Sequence, residues 1–199
     1  MILKYNYWQF QSILPKEVCE NIIKFAKEKK QKKGKVGMNN KLKPNLAKRD
    51  SNVVWLKEDW IYKTVLPYLD IANKNAGWNF QTNIAESAQF TIYKKGQYYN
   101  WHFDANPEPY KKPKDKNLNG KIRKLSMTVS LNDPKEYSGG DFEFRVFDLN
   151  GKGVIHKCKE IRPQGSIVVF PSFMHHRVTP VTKGERNSLV IWAVGNPYV

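Results

Sequence analysis

Apolar residues recur at two different periods along this chain, and the change falls near residue 80. Upstream the spacing is mostly helical. Val18, Ile22 and Phe25 recur every three or four residues, with Cys19, Ile23 and Ala26 widening the stripe. Leu14-Pro15-Lys16-Glu17 places a proline and an acid at the start, so a helix is predicted from there to about Lys30. A second helix is predicted through Ile61, Val65, Tyr68, Leu69 and Ala72. Pro67 falls inside it and should kink or divide it, because an interior proline lacks an N–H and crowds the preceding turn. Residues 3–10 and 50–56 read as strands.

Downstream the period is two. Phe90 and Ile92 share one face while Thr91 and Tyr93 share the other, and 125–131 sets Leu125, Met127, Val129 and Leu131 opposite Ser126, Thr128 and Ser130. Residues 141–146, 165–170 and 188–192 predict further strands, with turns at Asn132-Asp133-Pro134 and Ser138-Gly139-Gly140. The polar faces either meet solvent or, inside a small barrel, line a wet ligand pocket. Many short strands after two helices predict a mainly β fold with some α: a double-sheet jelly roll with the helices packed on one sheet. One domain is expected over 1–199, with 1–79 as helical support and 80–199 as the β core.

Composition narrows the class. No stretch approaches the roughly 20 apolar residues of a membrane span, and the first residues lack the apolar core of a signal peptide, so a soluble, cytoplasmic protein is expected. Cys19 and Cys158 offer neither a disulfide framework nor a CxxC motif and are expected as reduced, partly buried thiols. The formal charge of +16 admits attraction to nucleic acid or an acidic partner. However, all but six of the 34 basic residues are lysine, a bias that AT-rich codon usage also produces. The lysine-rich stretch 29–48, with Gly34, Gly37 and Pro44, is either a surface loop or a basic lid over a cleft.

Candidate chemistry centres on Tyr98-Tyr99-Asn100-Trp101-His102-Phe103-Asp104. On a strand, His102 and Asp104 project to the same side and can grip one metal ion; a third, neutral nitrogen completes a 2-His-1-carboxylate set that leaves open positions on Fe(II). His176 is the candidate. Read as one pattern, the second half runs Tyr93-x-x-Gly96-x-x-Tyr99-x-x-His102-x-Asp104, Arg123-Lys124-Leu125-Ser126, Gly139-Gly140-Asp141, Phe170-Pro171-Ser172 and His176-Arg177-Val178-x-Pro180-Val181-x-x-Gly184-x-Arg186-x-Ser188-Leu189. It resembles the 2-oxoglutarate and Fe(II)-dependent oxygenases of the prolyl 4-hydroxylase type, small bacterial and phage members included, over residues 80–195. A weaker likeness extends through the first helix and Arg49-x-Ser51…Trp55.

The resemblance implies a double-stranded β-helix with iron held by His102, Asp104 and His176, and 2-oxoglutarate and O2 as co-substrates, with ascorbate a candidate reductant. The family's His-x-Val pattern selects His176 over the adjacent His175, which alternation turns the other way; His156 has no motif around it and is expected as a surface or packing residue. Arg186, ten residues after His176, is implied as the grip on the far carboxylate of 2-oxoglutarate, with Tyr93, Thr128 and Ser130 lining the same pocket. By the same alignment Arg123 and Trp192 fall at substrate contacts, while Tyr99 and Trp101 either pack over the site or serve as core aromatics. Related halogenases lack the carboxylate, so Asp104 favours hydroxylation. The insertion 106–121 is placed to shape the substrate entrance. The resemblance implies a proline-containing protein or peptide substrate; a nucleic-acid demethylase of the same fold and a non-catalytic β-barrel binding module are the alternatives.

Overall fold

A computed structural model of the chain describes residues 3–37, 43–147 and 151–198. In chain order its elements are β1 (Trp8–Phe10), α1 (Lys16–Lys27), β2 (Lys32–Lys33), β3 (Arg49–Asp50), β4 (Asn52–Leu56) and α2 (Asp59–Asn75). They continue with β5 (Asn83–Ile84), β6 (Ala88–Lys94), β7 (Tyr98–His102), β8 (Ile122–Ser130), β9 (Tyr137–Gly139) and β10 (Phe142–Phe147). The last are β11 (Gly153–Lys157), a 3-10 turn at Lys159–Ile161, β12 (Ile167–Pro171), β13 (His175–Val178) and β14 (Val181–Gly195).

Two antiparallel sheets face each other. The larger runs β1-β12-β8-β14-β6-β4-β2, with β5 and β9 also on β14, and the smaller runs β11-β10-β13-β7-β3. This is the double-stranded β-helix expected. Strand periodicity assigns each face of the large sheet a separate task. Its outer face, Val54, Leu56, Phe90, Ile92, Leu125, Met127, Val129, Leu131, Leu189 and Ile191, joins Cys19, Ile22 and Ala26 of α1 and Ile61, Val65, Leu69 and Ala72 of α2 in one hydrophobic core. A second, aromatic core of Phe142, Phe144, Phe170, Val168 and Val178 fills part of the space between the sheets.

α2 is not divided at Pro67. Pro67 and Lys63, whose carbonyl loses its donor, both lie on the exposed side, where that group is open to solvent, and the buried stripe of Ile61, Val65 and Leu69 is undisturbed. The predicted first strand is shorter, Trp8–Phe10, and α1 stops at Lys27. Residues 50–56 are not one strand. The chain changes sheets at Ser51: Arg49 and Asp50 pair with β7, while Asn52–Leu56 pair with β6. Ser138-Gly139, expected as a turn, belongs to β9, where Gly139 takes a positive φ and lies so close to Pro180 O that a Cβ would clash. The stretch 29–48 contributes β2 and a bridge between Val36 and Lys43; residues 38–42 of it lie outside the described residues. Among the described residues no helix is long and apolar enough to cross a membrane.

Candidate metal centre and co-substrate cavity

The small sheet brings the distant halves of the chemistry together. β7 and β13 pair so that His102 lies opposite His176, and Asp104 follows two residues beyond His102. Ligand atoms of the three lie within 4.8 Å of one another, and the two carboxylate oxygens of Asp104 reach His102 Nε2 and His176 Nε2 at 3.6 Å each. Both imidazoles are oriented by the same device. His102 Nδ1 is 2.8 Å from Asn100 O and His176 Nδ1 is 2.8 Å from Met174 O, each a backbone carbonyl two residues upstream. The carbonyl can only accept, so each Nδ1 carries a proton and each Nε2 is the ring atom that faces Asp104.

Electrostatics agree with that tautomer. Burial, reinforced by the neighbouring His102 ring, lowers the His176 pKa to about 4, so this imidazole stays neutral near pH 7. Burial alone would raise the Asp104 carboxyl, but His176 and His102 outweigh it and hold Asp104 well below the usual carboxylate range. Two neutral nitrogens and one carboxylate, converging with their outer nitrogens already satisfied, fit a divalent iron. His175 faces the other way, where its ring meets Trp101 at 5.2 Å and Phe103 at 4.5 Å, and His156 sits on β11 against Tyr7.

A β-bulge gives β7 a second inward side chain near the centre. Val178 and His176, two apart on β13, face Tyr99 and His102, three apart on β7. The extra residue puts Tyr99 on the same side as His102 and stacks the two rings, with centroids 3.5 Å apart and planes within 9°. Trp101 stays at the rim, under Arg145 and Arg177 at 4.5 Å and 4.6 Å.

Beside the triad the sheets enclose a cavity of about 920 Å³. Arg186, 2% exposed, lines it from β14, and Tyr93 lies opposite on β6 with its ring 5.7 Å from the guanidinium. Arg186 Nη1 donates to Ser188 Oγ at 3.3 Å. Thr128 also lines the wall; Ser130 is buried outside it, and its register partner Ser188 occupies that wall instead. Gly140 makes room for Arg186: a Cβ there would lie 3.0 Å from Arg186 Cδ. Arg123 lies over the Trp192 ring at 3.8 Å and is clamped by both carboxylate oxygens of Glu86. Burial would depress its guanidinium, and the Glu86 carboxylate more than offsets this.

Among the wall residues that the sequence reading of the site did not assign are Ser188, Arg49 and Glu86. Ser188 was findable, since it shares the parity of Arg186 on one strand. Arg49 has a weaker signal in Arg49-x-Ser51, two same-side polar residues that hydrogen-bond at 2.8 Å; its guanidinium lies 4.6 Å from the Tyr99 ring. Glu86 has none, because nothing in its neighbourhood announces a partner 37 residues away.

The profile of the 2OG-Fe(II) oxygenase superfamily matches residues 88–194. The chain therefore belongs to that superfamily, whose co-substrates and metal the triad and cavity fit. It is similar to a PKHD-type hydroxylase of Xylella fastidiosa (strain M12), 33% identical over 104 residues that make up 52% of this chain and 42% of the relative. The chain thus matches less than half the length of that curated relative. Two solved structures share the fold. The viral collagen prolyl hydroxylase of Paramecium Bursaria Chlorella virus-1, in its 2OG complex, superposes with a TM-score of 0.63 at 21% identity, covering 96% of this chain and 97% of that one. A Trichoplax adhaerens prolyl hydroxylase in complex with a hypoxia inducible factor oxygen degradation domain peptide gives 0.66 at 14% identity, covering 96% and 84%.

Proposed function

We propose that this protein is a 2-oxoglutarate- and Fe(II)-dependent hydroxylase of an unactivated C–H bond, with a prolyl residue of a peptide or protein as its substrate. The observation that carries this is the convergence of His102, Asp104 and His176 at the same cavity whose wall holds the buried Arg186. His102 Nε2, Asp104 and His176 Nε2 are the ligands in this reading, and Fe(II) bound there supplies oxygen activation coupled to oxidative decarboxylation of the 2-oxo acid. Asp104 stays ionised and His176 stays neutral, which keeps both competent as ligands. Arg186 grips the far carboxylate of 2-oxoglutarate, helped by Tyr93, Thr128 and Ser188. Tyr99, stacked on His102, holds the plane of that imidazole, and Arg123 on Trp192 forms a surface for substrate. The peptide substrate rests on the likeness to prolyl hydroxylases, one of them holding a peptide, and ascorbate as reductant rests on the same likeness. A cytoplasmic site of action is consistent with Cys19 and Cys158, which are free, buried thiols.

The test is incubation with Fe(II), ascorbate, 2-oxoglutarate and proline-containing peptides, reading succinate and a peptide mass gain of one oxygen. Turnover that persisted in His176→Ala or Asp104→Ala would remove these residues from the centre. A nucleic-acid demethylase of the same fold is the second reading, favoured by the +16 charge, and demethylation of alkylated oligonucleotides would establish it instead.

A further inference from the structure

Buried polar atoms without partners mark where a ligand supplies what the protein does not. Among the described residues the side-chain atoms in this condition are Arg49 Nη2, Trp192 Nε1 and Asn187 Oδ1. Arg49 and Trp192 line the cavity, and both orphans there are N–H donors. The carboxylates of the same wall are committed: Glu86 is held by Arg123 and Tyr110, and Asp104 belongs to the metal triad. What enters must be rich in acceptors.

The mouth carries the same sign of demand. Lys32, Lys35 and Lys48 line one side, on and beside β2 and just ahead of β3, and Lys112 lines another part of the wall from the insertion that also contributes Pro107, Tyr110 and Leu118. Lys33 is tied to Asp50 at 2.9 Å, but none of these four lysines has an acidic side chain within ion-pair distance among the described residues. A codon-driven lysine excess explains their number, not their gathering without counter-charges around the one cavity that holds the metal triad. A flipped nucleobase would need a free aromatic face at depth. Here Tyr99 is covered by His102 and Arg49, Trp192 by Arg123, and Trp101 carries two arginines, while Trp55 and Phe103 are exposed at the mouth and not at depth. An extended acidic peptide needs no such face.

We propose that Lys32, Lys35 and Lys48, with Lys112, form a recognition rim that selects substrate segments bearing carboxylates next to the residue to be hydroxylated. This rests on the peptide-hydroxylase reading. Exposed pairs are individually weak, so it takes several together to give about a tenfold preference.

The experiment compares two fluorescein-labelled, proline-centred peptides, one with glutamates flanking the proline and its twin with glutamines, by anisotropy with Fe(II) and 2-oxoglutarate in the absence of oxygen. The glutamate peptide is expected to bind about tenfold tighter at low salt, with the advantage shrinking as salt rises. The combined variant Lys32→Glu, Lys35→Glu and Lys48→Glu should reverse the preference toward a lysine-flanked peptide, a gain that misfolding cannot produce. Equal affinities for the twins, no binding of either, or tighter binding of a single-stranded oligonucleotide of matched charge each overturn the proposal. Admitting oxygen separates the two readings. A glutamate preference without oxygen incorporation keeps the rim and removes the hydroxylase; incorporation without preference does the reverse.

Discussion

The two faces of the large sheet are built from alternate residues of the same strands, yet they have almost nothing in common chemically. On β14, Leu189, Ile191 and Ala193 point to the helices and are aliphatic; Arg186, Ser188, Val190 and Trp192, interleaved with them, line the cavity. On β6, Phe90 and Ile92 are core while Gln89 and Tyr93 are wall. Stability and chemistry are therefore separated by parity rather than by region. A one-residue slip in register would exchange them, and the apolar outer face is what forbids that slip.

The comparison is broken most sharply at the metal centre. Asp104→Ala or His176→Ala should lower succinate formation per folded molecule by more than about 10³-fold, because these residues belong to the cavity and not to the aliphatic core. Retained turnover would show that the triad does not ligate the iron. On the opposite face Phe90→Ala, fully buried, should cost about 3–5 kcal/mol in urea unfolding and leave the activity per folded molecule intact. A variant of normal stability with lost activity would contradict the division.

Arg186→Met should raise the KM for 2-oxoglutarate about 10–100-fold with a smaller effect on peptide affinity, as expected for loss of a charge-assisted hydrogen-bonded pair. Acidification sharpens the picture without any substitution. The folded-state pKa of His176 lies below its ordinary value, at about 4, so between there and about 6.5 the unfolded chain takes up a proton that the native site refuses. Asp104, also depressed, adds stability above the ordinary carboxylate range that is lost below it. Both act in one direction: the unfolding free energy of chelator-treated protein, from urea titrations, should fall as pH drops from 7 to 4, by on the order of 2 kcal/mol. A midpoint that rose would mean His176 is charged in the native state. The smallest effect is expected from Gly140→Ala, where a positive φ and a Cβ 3.0 Å from Arg186 Cδ should shift the guanidinium and raise the 2-oxoglutarate KM a few-fold. An unchanged KM would show that Arg186 has slack.

The elements most legible in the sequence were those whose signal is local. The stripe of α1 and the parity of β6 and β8 each depend on residues within one turn or one strand, and each is where its spacing puts it. His102 and Asp104 converge as their spacing suggests, but Asp104 lies past the end of β7 and not on the strand. Where readings failed, a distant partner had overruled local chemistry. Pro67 is tolerated because its side of α2 meets water, Ser138-Gly139 is drawn into a strand by β14, and Ser51 is a crossing point because β7 and β6 compete for its two neighbours.

The sequence by itself determined that His102 and Asp104 are two residues apart and can turn to one side, that Tyr93 and Thr128 occupy the polar faces of their strands, and that the opposite faces are apolar, since strand alternation is a property of the covalent backbone; Asp104 itself falls just past the end of β7. Tertiary structure alone decided the rest. Pairing of β7 with β13 set His102 against His176; a bulge turned Tyr99 inward; carbonyls of Asn100 and Met174 chose the imidazole tautomers. It also seated Ser188 rather than Ser130 in the wall and gathered lysines from two distant segments around one mouth. These depend on which residues meet across space, and long-range register, unlike local period, is written nowhere in a single stretch of chain.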